Sequence, residues 1–243
     1  MKKFDCFTYF NEAEILLIRL HELSCFMDYF VIVEANKTFT GTKKPFLLDE
    51  ILPLIDPAIS KKIIRVKIEF ASKYMTSWER EIYQRNQIEV GLAAADPEDM
   101  IIISDVDEIP NTETLGDIDL STLPVQLDVT QFFWNLHWQA PDHCNQGARP
   151  VVARKKDLDN NTPQELRAEV LDRVPNGGWH FSFFGEGDKA AEKIRAFAHT
   201  EYDKEEYTDA EKILCRIEKG IDPFDRFPLK YREIDNTYPN TLQ

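Results

Sequence analysis

The chain has 243 residues with 43% hydrophobic and 12% aromatic content, enough for one domain with a full core and too apolar for disorder. Its net charge of −14 leaves no basic surplus for nucleic-acid phosphates, so no nucleic-acid partner is expected. The four cysteines, Cys6, Cys25, Cys144 and Cys215, form no Cys-x-x-Cys pair, which argues against a zinc site or a disulfide framework.

Lys3 to Phe10 is rich in β-formers and reads as a first strand. Asn11 is placed to cap a following helix, with Glu14 completing a capping box. Ile15, Leu16, Ile18, Leu20 and Leu23 fit a helix lying on a sheet. Asp28 to Ala35 is a second buried strand, which closes a βαβ unit. Asn36 to Pro45 is a polar loop at that strand's C-terminal end, and Leu47 to Ala58 is irregular. Lys62 to Ile68 alternates as a third strand. Ser77 to Ala95 is the longest helical pattern, with Ser77 as cap and Trp78, Ile82, Ile88 and Leu92 as core candidates. Val125 to Trp134 and Pro150 to Ala153 read as strands, and Pro163 to Leu171 as a short helix. Asn176 to Gly185 is an aromatic strand, Glu186 to Ala198 a helix, and Thr208 to Lys219 a helix closed by Gly220. Asp222 to Pro228 is broken by prolines. No repeat, low-complexity segment or linker is visible, so one domain is expected, with residues 1–110 as one half and 111–243 as the other.

The most informative stretch is Met100-Ile101-Ile102-Ile103-Ser104-Asp105-Val106-Asp107-Glu108-Ile109-Pro110. Its apolar run reads as a strand buried on both faces, and Pro110 is expected to block continuation. Open α/β sheets place their chemistry at such C-terminal strand ends. Extended backbone would put Asp105 and Asp107 on one side, with Val106 pointing away. Two hard carboxylates suit Mg²⁺ or Mn²⁺ when a diphosphate completes the shell. An acidic turn that merely ends a strand has the same local sequence.

The sequence resembles glycosyltransferase family 17. The likeness is carried by Asp5-Cys6-Phe7, Asn11-Glu12, Arg19-Leu20-x-Glu22-Leu23 and Asp28-Tyr29-Phe30-Val31-Ile32-Val33-Glu34-Ala35-Asn36-Lys37-Thr38-Phe39-Thr40-Gly41. Trp78-Glu79-Arg80, Gln84-Arg85-Asn86, Ser104-Asp105-Val106-Asp107-Glu108-Ile109-Pro110 and Gly178-Trp179-His180-Phe181-Ser182 continue it in family order, over roughly residues 4 to 220. The family's animal member adds the bisecting GlcNAc to N-glycans. This chain lacks that member's membrane anchor and stem, so a different acceptor glycan is expected. With no run of roughly 20 apolar residues and no signal peptide, a cytoplasmic protein without a transmembrane segment is expected.

The resemblance implies an α/β fold, a GT-A-like Rossmann-type mixed sheet flanked by helices. It implies a UDP-sugar donor, UDP-GlcNAc first, and a glycan acceptor. Asp105 and Asp107 would then hold Mn²⁺ or Mg²⁺, with His180, or else His199, as third ligand. His180 reads equally as a hydrogen-bonded histidine of an aromatic strand. Inversion at the sugar requires a general base, for which Glu186 comes first, then Glu108 and Asp172. Asn11, Glu34, Thr38 and Arg85 are the nucleotide candidates, from their places at strand ends and on the facing helix. Trp134, Trp138 and Trp179 can stack on sugars or fill the core, and Lys230 is a candidate for the diphosphate. Two other readings remain: a metal-dependent phosphohydrolase or nucleotidyltransferase, and a glycan-binding module without turnover. A nucleotidyltransferase would be expected to carry a glycine-rich phosphate loop after its first strand, and Phe7-Thr8-Tyr9-Phe10-Asn11 offers none.

Overall fold

Strands that are apolar on both faces must be covered on both faces, and this decides the architecture. The structure is a computed structural model and describes residues 1–70, 74–141, 149–185 and 187–242. In chain order its first half holds β1 (Lys3–Tyr9), α1 (Ala13–Leu23), β2 (Tyr29–Ala35), α2 (Leu48–Ile51), α3 (Pro57–Ser60), β3 (Ile63–Ile68), α4 (Ser77–Asn86), α5 (Ile88–Gly91), β4 (Met100–Asp105) and β5 (Glu108–Pro110). The second half adds α6 (Thr112–Asp117), β6 (Val125–Phe133), β7 (Trp138–Gln139), β8 (Val151–Arg154), α7 (Pro163–Ala168), β9 (Arg173–Ser182), α8 (Gly187–Ala196), α9 (Glu205–Thr208), α10 (Ala210–Lys219) and β10 (Lys230–Tyr231). Among the described residues these strands make one mixed sheet in the order β10-β7-β6-β8-β4-β1-β2-β3, with β9 paired to β6 and β5 to β9.

β4, β1, β2 and β3 run parallel and form the Rossmann-like part. The chain steps outward from β1 to β2 and β3, then crosses back to place β4 on the other side of β1. Such a reversal opens a crevice at the C-terminal strand ends. Thr8 of β1 and Asp105 of β4 are register partners there. Alternation sorts the core into two layers. Phe7, Phe30, Ile32 and Ile102 pack with Leu16, Leu20 and Leu23 of α1. Cys6, Val31, Val33, Ile101 and Ile103 pack with Ile88 and Leu92 on the opposite face. Beyond β4 the sheet turns antiparallel through β8 and β6, and β9 then adds parallel to β6.

Several local expectations are corrected. The run from Met100 is not one strand: the chain turns at Val106 and Asp107 and resumes as β5, and Pro110 closes β5 opposite Gly178 of β9. Asn11 is not the cap of α1. Glu12 holds that position, and its carboxylate accepts the backbone N–H groups of Phe10 and Asn11. The helix expected over 77–95 breaks at Gln87 into α4 and α5, and its cap is Thr76, which forms a reciprocal capping box with Glu79. Trp78 and Ile82 are exposed on α4, whereas Arg80, Gln84 and Arg85 are buried. Asp209 caps α10, and Gly220 ends it in the left-handed region at φ 61°. Cys6, Cys25 and Cys215 are free thiols, and Cys144 lies outside the described residues.

Gly178 is fixed by the β5–β9 pairing. Its φ is +148°, and a Cβ there would stand 2.1 Å from the Ile109 carbonyl oxygen. Gly178→Ala is expected to cost about 3 kcal/mol, from backbone strain plus overpacking. Urea denaturation checks this; a loss below about 1 kcal/mol would show that β5 can move aside freely.

Candidate active site

The site is built on Arg19, a fully buried arginine of α1. Its Nε and Nη2 donate to the two carboxylate oxygens of Asp5 at 2.8 and 2.6 Å. Nη2 also donates to Ser104 Oγ, and Nη1 donates to the carbonyls of Asp105, Val106 and Glu108 at 2.8, 3.2 and 2.7 Å. The guanidinium lies 4.3 Å from the Phe7 ring centroid. One side chain thus pins the backbone of the acidic turn through its carbonyls. From the β9 side, the Phe181 N–H donates to the Asp107 carbonyl at 2.8 Å.

The acidic side chains meet a ring of cations. Asp105 follows the parity of Ile101 and Ile103, so it points to the α4 side of the sheet, where Arg85 Nη2 donates to its Oδ1 at 2.9 Å. Arg167 of α7 donates to Asp105 Oδ2 at 2.8 Å and to Glu108 Oε2 at 2.7 Å. Arg85 also bonds Gln164 of α7. Asp107 is held by Lys193 of α8 at 2.7 Å, and the same ammonium reaches Glu12 at 3.0 Å. His180 Nε2 stands 3.6 Å from Asp107 Oδ1.

These contacts set the protonation states. Burial pushes the Asp105 carboxyl up, but Arg167 and Arg85 outweigh it and hold the group well below the usual carboxylate range. Burial opposes ionisation of Asp107 too, and Lys193 with His180 overcomes it. Glu108 goes the other way: burial raises it, and Arg167 offsets this only in part. His180 is disfavoured as a cation by burial, yet the Asp107 charge raises it above its ordinary value.

A cavity of about 570 Å³ opens over this cluster. The ends of β1 and β4, the loop after β2, α4, α7, β9 and α8 all contribute to its walls. One wall is aromatic. Trp78 sets its edge against His199 at 4.6 Å, and Tyr202 stacks on Phe224 at 3.9 Å. Residues 1–237 match the sequence model of glycosyltransferase family 17. The chain belongs to that family. No curated protein matches the chain.

Family 17 membership makes the protein a glycosyltransferase, with a sugar donor and a glycan acceptor, in place of a phosphohydrolase or a nucleotidyltransferase. In this transferase Thr38, Arg85, Asp105, Asp107, Glu108, His180 and His199 all line the cavity. Asn11 and Glu34 do not. The Asn11 amide donates to Glu192, and Glu34 is buried under the loop after β2, where it accepts Lys44 Nζ and the N–H groups of Leu47 and Leu48. Glu186 lies outside the described residues, and Asp172 is exposed away from the cavity. Trp134 and Trp179 are core residues whose indole N–H groups donate to Ile221 and Thr237 carbonyls. Trp138 packs against Gly220, and Lys230 sits in the edge strand β10, off the cavity. Among the described residues no three His, Cys, Asp or Glu side chains converge on one metal position, so His180 stands beside Asp107 without completing a three-residue ligand set. No described helix is long and apolar enough to cross a membrane.

Sequence reasoning missed Arg167, Lys193, Glu12, Thr8 and the placement of Trp78. For Lys193 a signal existed: it lies three residues after Ala190 and four before Phe197, on the inward stripe of its helix. For Arg167 there was none beyond its place on a helix opened by Thr162 and Glu165.

Proposed function

We propose that this glycosyltransferase moves GlcNAc from UDP-GlcNAc to an acceptor glycan with inversion, assisted by Mn²⁺ or Mg²⁺. The observation that carries this reading is the pair Asp105 and Asp107 lining one cavity at the strand reversal of a Rossmann-like sheet. The donor set fits such an ion. It offers two hard carboxylates, and Mg²⁺-type sites commonly take one or two carboxylates and leave their other positions to substrate phosphates and water. When bound, the ion would neutralise charge on the diphosphate and on the departing UDP.

The chain's own groups supply the rest. Arg85 and Arg167 hold Asp105, and Lys193 holds Asp107, so both carboxylates stay ionised and aimed. Thr8 and Thr38 bring hydroxyls to the cavity. Inversion needs a base on the acceptor hydroxyl. Glu108 is unsuited, because its carboxylate is tied to Arg167 and to the Asp105 N–H. Glu186 is our candidate, from its place in the sequence just after the Trp179-His180 stretch.

Calorimetry with UDP tests the metal. Binding in Mn²⁺ is expected to weaken at least about tenfold when EDTA replaces the ion. Equal affinity in EDTA removes the metal from the proposal, and faster turnover of another UDP-sugar removes GlcNAc.

A further inference from the structure

The cavity's cations other than Arg226 are each tied to a carboxylate or a carbonyl, and the nitrogens left unpartnered on Arg85 (Nε) and Arg167 (Nε and Nη1) are buried. Lys37 donates to the Phe70 carbonyl, Lys44 to Glu34, Arg85 and Arg167 to Asp105, and Lys193 to Asp107 and Glu12. Arg226 differs. It lines the same cavity with its side chain 45% exposed. Its Nε donates to Asp222 Oδ2 at 2.7 Å, while Nη1 and Nη2 have no protein partner among the described residues.

The loop that carries Arg226 is built to hold it. Asp222 is fully buried, and its carboxylate also accepts the backbone N–H groups of Phe224, Arg226 and Phe227 at 3.3, 2.5 and 3.1 Å. Ile221 and Pro228 bridge across the loop base. Asp225 turns through φ 57° and is fastened to Arg216 by two bonds from its guanidinium. The Arg226 guanidinium carbon lies 5.0 and 5.2 Å from the ring centroids of Phe224 and Phe227. A guanidinium fixed at Nε and flanked by rings presents its terminal N–H pair in a set direction, the geometry that captures phosphate or carboxylate oxygens in bidentate fashion. The aromatic wall beside it lowers the local dielectric and strengthens such a contact.

We propose that Arg226 binds an anionic group of the substrate, the terminal N–H pair taking two oxygens of a phosphate or a carboxylate. The inference rests on the cavity being the transferase site. Two substrates offer this chemistry: the donor, whose diphosphate carries two negative charges and gains a third as UDP departs, and an acceptor sugar bearing an acid.

Titration of Arg226→Ala and Arg226→Lys tests it with UDP, uridine, p-nitrophenyl β-glucuronide and p-nitrophenyl β-glucoside, the glycosides in the presence of UDP and Mn²⁺. If the donor is the source, Arg226→Ala weakens UDP binding about 10- to 100-fold and leaves uridine unchanged. Arg226→Lys then recovers part of the loss, since a point charge remains without the fork. If the acceptor is the source, UDP affinity is unchanged and a wild-type preference for the glucuronide over the glucoside disappears. Arg226 is a surface-facing residue, so a melting temperature within a few degrees of wild type is expected for both variants. The inference is overturned if wild type binds UDP and Arg226→Ala matches it for UDP and for the ratio of the two glycosides. Wild type that binds no UDP would instead overturn the donor assignment.

Discussion

Arg19→Met lowers folding stability by about 3–5 kcal/mol, the cost of breaking a buried ion pair from one side. Asp5 is fully buried and would lose the guanidinium that satisfies both of its oxygens. The carbonyls of Asp105, Val106 and Glu108 would lose their donor as well. Methionine matches the length of the side chain, so packing against Phe7 is largely kept and the loss reports the polar network. Urea denaturation should show the fall, and a thermal scan a drop of roughly 6–20 °C. Adding Asp5→Asn to the variant should restore part of the stability, because the stranded charge is gone. If the single substitution costs less than about 1 kcal/mol, Arg19 is not what shapes the acidic turn.

Asp107→Ala is expected to reduce sugar transfer by about 10³-fold or more, the scale for removing a preorganised charged group that acts on the reacting centre. Mn²⁺-dependent UDP binding should fall to the level seen in EDTA. The fold should tolerate the change. Lys193 keeps Glu12 as a partner at 3.0 Å, and the Asp107 carbonyl keeps its bond to the Phe181 N–H. Activity and stability are therefore separable: transfer assays collapse while the denaturation midpoint moves little. A variant with more than a tenth of wild-type transfer and intact Mn²⁺-dependent binding would displace Asp107 from the site.

The parallel strands were readable because burial on both faces leaves an unbroken apolar run, as in Tyr29–Val33 and Met100–Ile103. The acidic turn was readable because its carboxylates interrupt such a run. α4 was misread for a physical reason. Helical periodicity assigns apolar residues inward, but this helix turns Arg80, Gln84 and Arg85 inward and leaves Trp78 at the cavity mouth. A cavity floor has the reverse polarity of a core, and spacing alone cannot tell which of the two a helix covers. β5 was hidden by Pro110, which looks like a terminator. As the last residue of a three-residue strand it ends the pairing, which its missing N–H permits. Arg167 was hidden because its partners Asp105 and Glu108 are about sixty residues away in the chain, a juxtaposition that only the tertiary fold creates.

The acidic turn is held from two directions, and these are made at different times. Arg19 precedes Asp105 by 86 residues, so its grip is available as soon as β4 emerges from the ribosome. The other grip waits for β9, whose Phe181 N–H holds the Asp107 carbonyl and whose His180 pairs with Glu108 in the sheet register. Lys193 and Arg226 follow later still. A nascent chain that has reached Pro110 therefore carries every acidic residue of the turn, but of the cations that set their charge it has only Arg85, and it lacks β9, Arg167 and Lys193. During synthesis the site is complete only when its second half has folded back on the first, and a fragment of residues 1–110 would hold the motif without the chemistry.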